Sequence, residues 1–169
     1  MNETLLQVVQ LQIRYHNWAT REMWKGLANL PEQEFTRSHG TSFDTLQATL
    51  NHMFSADCVW LERLKGNGNA QLNSIVVPGP ALLSDAWFGA LDTLNILTAA
   101  MTEQQIYLPV EYANSSGTQF KTPAWQILLH VVNHSTGHRG QVNGLIREAG
   151  GLPLATDLIL FYRAQDANH

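Results

Sequence analysis

The stretch Thr122–Gly151, TPAWQILLHVVNHSTGHRGQVNGLIREAGG, decides how the rest of the 169-residue chain is read. As a helix it carries His130, His134 and His138 at four-residue steps, a drift of only about 80° around the axis, so the three rings share one stripe. Side chains at i and i+4 have Cβ atoms roughly 5–6 Å apart, close enough for two imidazoles to share an ion. His134 and His138 therefore read as a metal-ligand pair. Thr122 is the expected N-cap with Pro123 at the first helical position, where a missing N–H costs nothing. Gly150 and Gly151 supply left-handed C-terminal geometry, and Pro153 blocks continuation.

Trp125, Ile127, Leu128, Val131, Val132, Val142, Leu145 and Ile146 give this helix a broad apolar surface. Histidines beside such a face are costly to bury unless each ring has a partner, and a metal is one such partner. The competing reading is that HxxxH arises readily by chance, its rings bonded to backbone or solvated. That reading is kept for His130, a turn ahead of the pair near the helix start. Two histidines cannot complete a site, so a third ligand must come from another helix.

Length suits one domain, residues 1–169, large enough to bury most of a core without staples. The one cysteine, Cys58, excludes an internal disulfide and fits a reducing, cytoplasmic setting. Its apolar neighbours point to an inert core thiol. No charged leader and no apolar run of membrane-spanning length appears, so no membrane role is expected. A formal charge of −4 with no basic stripe excludes general nucleic-acid binding. Charged residues are 14% and apolar ones 44%; this leaves little polar surface for a bundle of helices, so a second subunit is expected to cover part of it.

In chain order, Glu3 to Leu30 reads as a first amphipathic helix ended by Pro31. It contains His16, read as a surface or hydrogen-bonded residue. His39 beside Gly40 falls in a polar loop with no local partner. A second helix runs from an N-cap at Thr41 or Ser42 to Gly66. His52, mid-helix among core-type residues, is the best candidate for the third ligand, because it can meet the His134/His138 face of a partner helix. Asp57, five residues on and offset by roughly 140°, reads as a group bonded to a ligand or as an inter-helix hydrogen-bond acceptor, and not as a ligand itself.

The stretch GNGNAQLNSIVVPGPALL is rich in turn residues and long for a compact domain; it suits a crossover joining helices that point the same way. A third helix then starts at Ser84 and serves as wall. Around Asn114-Ser115-Ser116-Gly117 the chain alternates like a small hairpin or extended loop. Gly137, Gly140 and Gly144 in the fourth helix read as a packing surface for another helix, or as room for a substrate beside His138. A short helix closes the chain, and His169 is terminal.

These residues resemble a family. LLHVVNHSTGHRGQV, with His134, His138, Arg139, Gly140 and Gln141, is similar to the C-terminal helix motif of DinB/YfiT-like proteins, four-helix bundles regarded as metalloenzymes. YHNWATREMWKGLANLP resembles that family's first helix and LNHMFSADCVWLERL its second. The likeness implies an all-α, up-down-down-up bundle with a divalent metal on His52, His134 and His138. It also implies homodimers and, in some relatives, transfer or isomerisation chemistry that uses low-molecular-weight thiols.

Three imidazoles leave coordination positions open, which suits catalysis better than a closed structural site. They suit zinc, nickel, iron or copper better than magnesium or calcium. The expected function is activation of a thiol or water for transfer to a small electrophile. Arg139 reads as an orienting group for an anionic substrate or, more simply, a surface or dimer salt bridge; Gln141, Asp57 and His130 read as neighbours behind the ligands. No catalytic acid or base is identified, since no Glu accompanies the histidines as in HExxH. A non-catalytic, metal-stabilised or metal-sensing dimeric bundle is the alternative.

Overall fold

The computed structural model describes residues 3–40, 43–72 and 75–166. Four long helices form its body: α1 (Leu5–Leu27), α3 (Leu46–Leu64), α4 (Pro80–Ala99) and α5 (Ala124–Glu148). A short α2 (Glu32–Thr36) follows α1, a two-stranded hairpin of β1 (Pro109–Ala113) and β2 (Gln119–Pro123) precedes α5, and α6 (Leu158–Asp166) closes the chain.

Contacts between side chains fix the helix directions. Gln10 reaches Thr98 and Asn17 reaches Asp92, so α1 and α4 run antiparallel. Tyr15 meets Arg139, and Met23 and Leu27 share a core with Leu145 and Ile146, so α1 and α5 run parallel. Phe54 packs on Trp87 while Leu61 and Leu94 lie in one cluster, which makes α3 and α4 parallel. The bundle is therefore all-α and up-down-down-up, with the crossover between α3 and α4 that parallel neighbours require.

Several helix ends fall where the sequence did not place them. The first helix runs from Leu5, with Thr4 as N-cap in a capping box with Gln7, and stops at Leu27, short of the expected Leu30. The N-cap of α3 is Thr45, whose hydroxyl accepts from the Ala48 N–H at 3.0 Å; the expected caps, Thr41 and Ser42, lie outside the described residues, as does His169. At α5, Thr122 is not a cap, because it pairs with Val110 in the hairpin ladder and its hydroxyl faces the Tyr112 hydroxyl at 3.3 Å. Pro123 takes the cap position without a side-chain bond. The third long helix starts a turn early, at Pro80, because Gly79 turns the chain at φ 74° and proline suits the first helical position; Ser84 sits inside it, donating to the Ala81 carbonyl at 2.8 Å.

The crossover is fastened rather than loose. The Asn51 side chain accepts from Val77 N–H at 2.8 Å and donates to Val77 O at 3.2 Å. Gly68 lies so near the hairpin that a Cβ there would meet Glu111 O at 2.5 Å, so only glycine fits. No described helix is long and apolar enough to cross a membrane.

Two buried clusters stack along the bundle axis, one around Met53, Leu50, Trp87 and Ile146 and one around Val9, Ile13, Leu128 and Val131. Leu50 is fully buried whereas Leu82 is 63% exposed. Leu50→Ala is expected to cost ~2–5 kcal/mol by urea denaturation, through lost burial and the cavity left behind; Leu82→Ala is expected to stay within ~0.5 kcal/mol.

Candidate metal centre

Because α3 and α5 run antiparallel and in contact, mid-helix His52 faces the middle of α5. The ring of His52 lies 5.3 Å from that of His134 and 4.8 Å from that of His138, and the latter two rings are 4.5 Å apart, centroid to centroid. One nitrogen from each ring falls within 4.8 Å of the others, so the three could hold one ion. The Nε2 atoms of His134 and His138 are 3.1 Å apart. An ion about 2.0–2.1 Å from each nitrogen separates its ligands by roughly 2.8–3.4 Å between octahedral and tetrahedral geometry, so this pair is already at chelating distance.

Gln141 completes the orientation of His138. Its side-chain oxygen accepts from Nδ1–H at 2.8 Å, which leaves the Nε2 lone pair directed at the cluster. Phe43 was not foreseen: its ring stacks on His52 at 4.3 Å and meets the edge of His138 at 5.7 Å. It lies in the loop before α3, where no periodicity could have singled it out.

His130 stands apart from the three. Its ring is 5.7 Å from His134 and packs edge-on against Trp60 at 5.3 Å. Burial lowers the pKa of His130. Burial also lowers that of His134, to about 4, with the neighbouring rings of His138, His52 and His130 adding to it. A centre that disfavours protons keeps a nitrogen lone pair free for a metal.

Behind the histidines lies a buried polar core. Asp57 Oδ2 accepts from Trp87 Nε1 at 2.7 Å and bonds His16 Nε2 at 3.0 Å, joining three helices. Asp57 is thus the inter-helix acceptor foreseen, and His16 a buried hydrogen-bonded residue, not a surface one. Arg139 corrects the surface salt-bridge reading. It is 1% exposed and donates to the Tyr15 hydroxyl at 3.0 Å and to Thr136 Oγ1 at 2.7 Å, because its position turns it away from His138 into the bundle. Gly137, Gly140 and Gly144 lie on the exposed side, and a Cβ at any of them would meet nothing within 4 Å; no described helix of this chain packs there. His39 has a distant partner, Glu148 Oε1 at 3.2 Å from its Nδ1. Burial pushes the Cys58 thiol up to about 12, which fits an inert residue. A cavity of about 820 Å³ is lined by Trp24, Leu30, Phe35, Pro80 and Phe88, and none of the histidines lines it.

The DinB family model matches residues 1–168. The chain belongs to the DinB family. One similar relative is Protein DinB of Bacillus subtilis (strain 168), 25% identical over 156 residues, an alignment covering 87% of this chain and 89% of that protein.

The His134 shift carries a sign that can be measured. The unfolded chain takes up this proton near pH 6.5 and the folded one only near 4. Stability from this group is thus complete above about pH 6.5 and is lost as pH falls through 4. Urea midpoints of chelator-treated protein at pH 7.5, 5.5 and 4.5 are expected to fall in that order, with a shallower decline in His134→Gln.

Proposed function

We propose that this DinB-family protein is a metal-dependent enzyme in which His52, His134 and His138 hold one divalent transition ion, zinc, nickel or iron. The reading rests on one observation, the convergence of three imidazoles from two helices, with two nitrogens already 3.1 Å apart. When bound, the ion supplies a Lewis acid that lowers the pKa of a thiol or water. The reaction class is transfer of that nucleophile to a small electrophile, with a low-molecular-weight thiol as the favoured cosubstrate. A homodimer and a cytoplasmic setting complete the reading.

The chain's own residues prepare the site. Gln141 holds the tautomer and rotation of His138, the Phe43 ring holds His52 flat against it, and burial keeps His134 neutral. Ligands fixed in advance lose less entropy when the ion arrives. Asp57 does not act as a base in this scheme, since its carboxylate is engaged by His16 and Trp87. That engagement favours a second reading, a non-catalytic bundle that uses metal for stability or sensing. The two part on whether removing the ion leaves a folded protein without activity or a protein that unfolds.

Elemental analysis of untagged protein is expected to give about one ion per chain, lost in a His52→Ala, His134→Ala double variant and kept in His130→Ala. Occupancy is expected to hold at neutral pH and to fall as pH drops toward about 4, where a proton competes with the ion for His134. Wild-type protein without metal but with its fold intact would falsify the three-histidine centre.

A further inference from the structure

Beyond the histidines a row of rings continues along α3 and α5. Trp60 lies two helical turns after His52 on α3, and His130 lies one turn before His134 on α5; with the helices antiparallel, the pair forms the next rung between them. Past them the hairpin adds Tyr112, edge-on to Trp60 at 5.1 Å, and Phe120, stacked on Tyr112 at 5.5 Å. The His130 and Phe120 rings are exposed, and those of Trp60 and Tyr112 half-buried.

Half-solvated aromatic rings are often mobile, but these are fixed from behind. The Arg63 guanidinium lies 4.6 Å from the ring centroids of both Trp60 and Tyr112, and its Nη2 donates to the carbonyls of Ala70 at 3.1 Å and Ala113 at 2.9 Å. Tyr112 is tied further through its hydroxyl to Thr122. A preorganised aromatic surface binds a flat partner at little conformational cost. Charge decides which flat partner. A cation already sits against both rings, so a second cation is disfavoured. Arg63 is buried behind the rings with its Nη2 spent on two carbonyls, and the exposed Lys121 is paired with Glu111 at 2.7 Å, so neither of these cations is free at the ring surface to favour an anion.

We propose that Trp60, His130, Tyr112 and Phe120 form a substrate subsite for an uncharged, planar aromatic or conjugated molecule, delivering its reactive end to the histidine centre. The subsite rests on the proposed reading of that centre as a working one. It takes the ring face on Trp60 and leaves the His130 ring nitrogens beside the ligand's polar edge.

The test uses 2-naphthol and its saturated, non-planar counterpart decahydro-2-naphthol, titrated by ligand-observed NMR into wild-type, Trp60→Leu, Phe120→Ala and His134→Ala proteins. Wild type is expected to bind naphthol at least about threefold more tightly than the saturated probe. Trp60→Leu is expected to weaken naphthol by about three- to tenfold. Phe120→Ala, whose side chain is exposed and whose loss leaves the core alone, is expected to weaken it in the same direction. His134→Ala is expected to leave naphthol binding within about twofold, so the subsite is read separately from the metal, which elemental analysis reports. Equal binding of the two probes, no binding to wild type, or unchanged affinity in both ring variants would overturn the subsite. Loss of naphthol binding in His134→Ala alone would also overturn it, since the probe would then sit on the histidines.

Discussion

Asp57 is 3% exposed, and a buried carboxylate is tolerated only when its lone pairs are engaged. It is engaged by an indole from α4 and an imidazole from α1, so three of the four long helices are held at one level of the bundle by one side chain. The fourth, α5, is tied to the same level through Arg139 and Tyr15, whose hydroxyl in turn donates to Thr156 O at 2.8 Å in the segment before α6. A slide of any helix along its neighbours would leave one of these groups buried without its bond. The polar level therefore sets the register that apolar packing alone leaves soft. That register places His52 opposite His134 and His138.

The two layers, polar core and histidine centre, use neighbouring positions on the same helices. His134 and His138 face His52, whereas their sequence neighbours Ser135 and Arg139 are buried in the interior. Consecutive residues on a helix diverge by about 100°, so a ligand and its adjacent residue naturally serve opposite layers. This divergence explains why Arg139, adjacent in sequence to a ligand histidine, is part of the scaffold and not of the substrate's surroundings. It also places Gln141, three residues beyond His138, on the histidine's side.

Helical periodicity, with Pro31 and the Gly150-Gly151 pair, was enough to read four long helices, and the turn-rich crossover implied which neighbours are parallel. The histidine stripe was legible for the same reason: spacing on one helix is a local property. Legibility failed where a tertiary contact outvoted a local preference. Thr122 has the chemistry of a cap, but the hairpin ladder uses it as a strand residue. Ser84 has it too, yet the Gly79 turn starts the helix earlier. Phe43 and the Arg63 clamp depend on residues distant in sequence and leave no periodic trace.

The open flank of α5 bears on what can approach the histidines. Bulky side chains at 137, 140 and 144 would stand on the exposed side of the helix that carries two of the histidines, and glycine at all three leaves that side without them. Each glycine costs about 0.5–1 kcal/mol of helix stability relative to alanine, a cost that no packing contact within the described chain offsets. The helix is held instead by its opposite face, where Leu128, Val131, Val142 and Ile146 are buried, and by Arg139. Stability on one side and open space on the other is the arrangement a site needs if its ligands are to be rigid while its approaches stay clear.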